Sequence, residues 1–135
     1  MNLEIILISC KMAWEKMPQK FRLTHEKKEG VIIISLFGYF DKTGGATLRG
    51  VIQSFINEKN RLFAFNCAGI ELMNSQGITS LLDIAATIVD ENHGKMVLFE
   101  IPPDKVSVLD LAGLFFVASQ VSTKADALKK LGEKN

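Results

Sequence analysis

Val31-Ile32-Ile33-Ile34-Ser35-Leu36-Phe37 is a β-branched run in which both alternating faces are apolar. A strand of this kind must be covered on both sides, so the run predicts a strand in the middle of a sheet carrying helices on its two faces. Upstream, residues 21–25 alternate apolar and polar like a half-buried edge strand, and residues 26–30 supply a charged turn. Downstream of Gly38 and Asp41, the positions Leu48, Val51, Ile52, Phe55 and Ile56 recur at i, i+3, i+4, i+7 and i+8, which predicts an amphipathic helix beginning near Thr43.

The alternation continues. Residues 61–67 read as a short strand and residues 68–74 as a loop; Ile78, Leu81, Leu82, Ala85, Ile88 and Val89 then mark a second helix that stops near Asn92-His93-Gly94. Met96-Val97-Leu98-Phe99 is another buried strand, and Pro102-Pro103 opens a short helix. Residues 114–117 suggest a last strand and residues 125–131 a closing helix. The order strand, strand, helix, strand, helix, strand, helix, strand, helix predicts an α/β fold with a mainly parallel central sheet made by right-handed crossovers, an antiparallel edge strand and about four helices.

Residues 1–20 read as an N-terminal helical extension, because Leu3, Ile6, Leu7, Cys10, Trp14 and Met17 fall on one face before Pro18 ends the pattern. Ile5, Ile8 and Met12 form a second apolar patch, and a helix apolar on two sides suggests a homodimer contact through residues 1–17. Leu7-Ile8-Ser9-Cys10 superficially resembles a lipoprotein cleavage site, but no Lys or Arg precedes the short apolar run. The organisation expected is therefore an extension over residues 1–20 and one domain over residues 21–132.

The chain has 135 residues, 47% of them hydrophobic, enough for one continuous core. Its 16 Lys and Arg against 15 Asp and Glu leave a formal charge of +1, with no basic block to track a phosphate backbone, so nucleic acid is a poor partner. Cys10 and Cys67 form no paired motif, which fits a reducing cytoplasm, and no uncharged stretch approaches the ~20 residues needed to span a bilayer.

Enzyme chemistry finds little to stand on. His25 and His93 are the two histidines, one by a charged turn and one in a helix-ending loop, where surface roles outweigh metal or base roles. No GxSxG, GxGxxG or GxxxxGK[ST] motif occurs, and Gly44-Gly45 reads as flexible helix entry. The segment with most to say is Asn74-Ser75-Gln76-Gly77, where a βα loop meets a helix N-terminus. Either Asn74 or Ser75 could be the N-cap, and a phosphoryl group there would be accepted by the helix N-terminal amides and dipole.

Three strings, in order, carry a resemblance. Leu36-Phe37-Gly38-Tyr39-Phe40-Asp41, Ile70-Glu71-Leu72-Met73-Asn74-Ser75-Gln76-Gly77-Ile78 and Leu111-Ala112-Gly113-Leu114 resemble motifs of the STAS domain of anti-sigma factor antagonists over about residues 21–132. Gly94 to Phe99 and Ala125-Asp126-Ala127-Leu128 resemble its later strand and closing helix. The resemblance implies a STAS fold and a non-enzymatic signalling protein with no metal and no cofactor of its own. It implies that Ser75 is phosphorylated by an anti-sigma factor that is also an ATPase-type kinase, and that a Ser/Thr phosphatase reverses this. The unmodified form would bind the anti-sigma factor, with Asp41, Asn74, Ser75, Gln76 and Gly77 at the partner surface. Asn74 stands where the family usually has Asp, removing a carboxylate beside the phosphoacceptor while keeping the capping ability. That departure favours an alternative, a constitutive STAS subunit of a lipid-transport ATPase or stress-signalling assembly; the intact Ser75 favours the switch.

Overall fold

A computed structural model describes residues 18–132, so the helix expected over residues 1–20 and its homodimer contact fall almost wholly outside the described residues. Five strands form one sheet in the order β1 (Arg22–Lys28), β2 (Val31–Phe40), β3 (Leu62–Met73), β4 (Lys95–Phe99) and β5 (Ser119–Val121). β1 pairs antiparallel with β2, and every later pairing is parallel. The helices are α1 (Lys42–Asn57), α2 (Ser75–Ala85), α3 (Pro103–Leu111) and α4 (Lys124–Gly132). A π-helical turn, Ala86–Glu91, extends α2, and a 3-10 turn, Leu114–Phe116, follows α3.

The period-2 pattern of β2 divides the core. Ile32, Ile34 and Leu36 face Leu48, Ile52, Leu81, Ile84 and Leu109, so α1, α2 and α3 cover one face of the sheet. Val31 and Ile33 face the other way, with Val97 and Phe99, onto Ala127 and Leu131 of α4. The strand is thus buried on both sides as its composition requires, next to the antiparallel edge, with β3 at the centre.

Three local expectations are corrected. The charged turn narrows to Glu29-Gly30, both at positive φ (55° and 79°), while residues 26–28 stay in β1. Such a two-residue hairpin matches the twist of the flanking strands, and an exposed edge strand tolerates charge. β3 runs on through the expected loop: Gly69, Ile70, Leu72 and Met73 pair with Phe37, Gly38, Tyr39 and Phe40 across two register shifts. Ladder pairing continues there although the side chains have lost their alternation. The last strand is not residues 114–117. Gly113, at φ 90°, ends α3 and turns the chain into the 3-10 segment, where Leu114 is buried but Phe116 is 93% exposed. The strand is the polar Ser119–Val121 instead, held by pairing with β4.

Candidate functional site

Because β2 and β3 are parallel neighbours, they end together, with Phe40 beside Met73. Each then turns directly into a helix. Asp41 caps α1, its Oδ1 accepting from the Gly44 amide at 2.8 Å; Asn74 caps α2 in the same way, its Oδ1 accepting from the Gly77 amide at 2.8 Å. The Asn74 amide donates to the Phe40 carbonyl at 3.2 Å, so the two helix N-termini are tied side by side at one edge of the sheet. The amide ends of both helices carry partial positive charge, which the Asp41 carboxylate offsets at α1 and the neutral Asn74 leaves in place at α2.

The glycines explain how closely the pieces approach. A Cβ on Gly77 would lie 2.2 Å from the Phe40 carbonyl oxygen, so only glycine lets α2 start against the end of β2. Gly38 has φ 84° and faces the backbone of Gln19 and Lys20, where Tyr39 donates its amide to the Gln19 carbonyl at 2.8 Å. Gly45 is not a flexible entry: it is buried inside α1, and a Cβ there would meet the Ser80 side chain of α2.

Asp41, Asn74, Ser75, Gln76 and Gly77 are all at this edge, but in different capacities. Ser75 and Gln76 are exposed at the start of α2, Asn74 and Asp41 are half-buried with their side-chain oxygens used as caps, and Gly77 is buried and offers packing rather than a contact surface. Of the two N-cap candidates, Asn74 has the role. Ser75 is the first helical residue; its carbonyl accepts from the Thr79 hydroxyl at 2.9 Å, and its own hydroxyl makes no hydrogen bond to any described residue.

A groove of about 330 Å³ runs between α1 and α2 beside Ser75. Lys42, Ala46 and Arg49 line it from α1, and Ser75, Gln76, Thr79 and Ser80 from α2. Lys42, Arg49, Thr79 and Ser80 belong to no sequence motif, although the spacing of the first three holds a signal. Lys42, Ala46 and Arg49 recur at i, i+4 and i+7, and Ser75 and Thr79 at i and i+4, each on a face turned from the core. Arg49 bridges the helices through Asp83 at 2.9 Å, with both side chains more than half exposed, so the pair contributes little stability.

Elsewhere the chemistry is sparse. Burial pushes the Cys67 thiol up to about 12, leaving it an inert part of the core. Hydrogen bonding and charge from Lys124 hold the Glu26 carboxyl below its usual range, and Lys105 does the same for Asp104. His25 packs edge-on against Phe55 at 5.1 Å between ring centroids, and His93 is exposed. Among the described residues no group of three His, Cys, Asp or Glu side chains could hold a metal, and no helix is long and apolar enough to cross a membrane.

The STAS domain family model matches residues 22–127. Among solved structures, an anti-sigma factor antagonist from Mycobacterium paratuberculosis superposes with a TM-score of 0.73 at 19% identity, over 84% of this chain and 96% of that one. The anti-sigma factor antagonist SpoIIAA in its unphosphorylated form matches at a TM-score of 0.63 and 20% identity, over 82% of this chain and 96% of that one. The Bacillus cell fate determinant SpoIIAA in its phosphorylated form matches at 0.62 and 20%, over 82% and 98%. At these identities the likeness is one of fold.

Proposed function

The chain belongs to the STAS domain family, and we propose that within it the protein is a non-enzymatic, cytoplasmic anti-sigma factor antagonist that changes partners when Ser75 is phosphorylated. The observation that carries this reading is the division of labour at the start of α2. Asn74 makes the capping bond, so the exposed Ser75 hydroxyl does no structural work and is free to be modified. A phosphoryl group there adds about −1.5 to −2 charge at pH 7 at the positive end of a helix, which the fold accepts. The same charge pressed into a partner's surface is desolvated or repelled, so binding is lost while folding is not.

In this reading the unmodified protein binds an anti-sigma factor kinase of the ATPase type and so releases a sigma factor; ATP and Mg²⁺ belong to the kinase, and a Ser/Thr phosphatase resets the switch. SpoIIAA, similar in fold, has been solved in both unphosphorylated and phosphorylated forms, which supports a phosphorylated state on this scaffold. We also propose that residues 1–17 mediate homodimerisation; unchanged sedimentation mass after deletion of residues 1–16 would contradict that.

The decisive experiment incubates the protein with its cognate kinase, ATP and Mg²⁺ and locates the modification by mass spectrometry. Phosphate on Ser75, lost in Ser75→Ala, is the expected outcome. Modification elsewhere, or none, moves the assignment to a constitutive STAS subunit.

A further inference from the structure

The groove between α1 and α2 holds polar groups that capping does not use. Lys42, in the first turn of α1, has no carboxylate partner among the described residues, whereas Arg49 is engaged by Asp83. Ser80 lines the same groove; it is only 9% exposed, and its hydroxyl makes no hydrogen bond to any described residue. Among the described residues no sealed side-chain oxygen lacks a partner, so this hydroxyl is open to the groove and meets water there. One cation without a carboxylate partner, one groove-facing hydroxyl and two adjacent helix N-termini therefore border a single concavity beside the Ser75 hydroxyl. All of them favour an anion.

We infer that the phosphoryl group on Ser75 is clamped by its own chain, lying in the α1–α2 groove with Lys42 as its ion-pair partner. This rests on the phosphorylation reading above and says how the modified site is arranged. The clamp has a consequence for partner exchange: the phosphate occupies the Ser75 end of the groove and at the same time takes Lys42 out of use, so a partner that reads this edge loses part of a cavity and a cation together. Hydrogen bonds fix the surrounding carboxylates but leave their charges, so Asp41 weakens the attraction that Lys42 and the helix ends supply. Asp41 is committed to the Gly44 amide, Asp83 to Arg49, and Glu71 accepts from the Gln19 amide at 2.7 Å.

The test uses the full chain with phosphoserine installed at position 75 during translation, titrated by ³¹P NMR at about 0.1 M salt. In the wild-type background the phosphate's second ionisation is expected below the usual value of about 6, and Lys42→Met should raise it by about 0.5 unit, the size of an exposed ion pair. Lys42→Arg should restore it, which a merely structural role for Lys42 would not require. Indistinguishable titrations of the wild type and Lys42→Met would overturn the clamp. Because the phosphate is placed without a kinase, a flat titration leaves the switch standing, whereas failure of the kinase to modify Ser75 leaves this measurement standing.

Discussion

Asn74 donates its amide to the carbonyl of Phe40, and a Cβ on Gly77, one turn into the helix that Asn74 caps, would strike that same oxygen. The end of β2 thus supports the start of α2 through a single carbonyl, and the position of Ser75 follows from it.

Replacing Asn74 should show the cap in stability. Asn74→Ala removes the acceptor of the Gly77 amide and is expected to cost about 1 kcal/mol in chemical denaturation. Asn74→Asp keeps the acceptor and gains from the helix dipole, but puts a second carboxylate beside the Asp41 cap. The two effects offset, so the expected change is within about 0.5 kcal/mol. A loss as large as that of Asn74→Ala would mean that the cap is not what holds this turn.

Two glycines in helices should respond with opposite signs. Gly77→Ala forces backbone against backbone and should destabilise by about 1–3 kcal/mol. Gly50 in α1 has nothing within 4 Å of an added Cβ, so Gly50→Ala should stabilise by about 0.5–1 kcal/mol. A Gly77→Ala midpoint at or above that of the wild type would contradict the packing described at Gly77, and a lowered Gly50→Ala midpoint the open space described at Gly50.

Ser75 should separate binding from folding. Ser75→Ala is expected to bind the proposed anti-sigma factor partner like the wild type, and Ser75→Asp to bind it measurably more weakly with a near-normal melting curve. The Asp mimic carries less charge than phosphate, so titration calorimetry should find a partial loss. A collapse of the melting temperature in Ser75→Asp would mean that the position is structural.

Cys67 should be unreactive in the folded protein, and stability should fall at alkaline pH. In a Cys10→Ser background a thiol reagent should label Cys67 only after denaturant is added. The folded thiol ionises near 12 against an ordinary 9, so the folded state holds its proton while the unfolded state has lost it. The contribution is complete below pH 9 and declines between 9 and 12, by at most about 1.4 kcal/mol per pH unit. Cys67→Ala should remove that slope; equal slopes for the two proteins between pH 9 and 10 would show that other groups produce it.

The architecture was legible in the residues because hydrophobic periodicity is a local property. The run from Val31 to Phe37 demanded a strand covered on both faces, and the i, i+3, i+4 spacing of Leu48, Val51, Ile52, Phe55 and Ile56 demanded a helix; both follow from where side chains point along regular backbone. The exposed start of α2 was legible for the same reason, from Asn74-Ser75-Gln76-Gly77 between a strand and an apolar helical stripe. What local pattern could not supply was anything set by pairing across the sheet. β5 is Ser119-Gln120-Val121, of which only Val121 favours a strand, and it forms because β4 offers an open ladder, while the more apolar residues at 114–117 bury Leu114, pack Phe115 and Val117 partly against the core and leave Phe116 outside. The choice of Asn74 over Ser75 as the cap depends on where Phe40 ends β2, and the groove depends on Gly45 admitting Ser80. Residues 42, 49, 75 and 80 lie on two helices, and periodicity assigns each to a face of its own helix. It carries no information on which faces meet; helix packing against the shared sheet brings these four together.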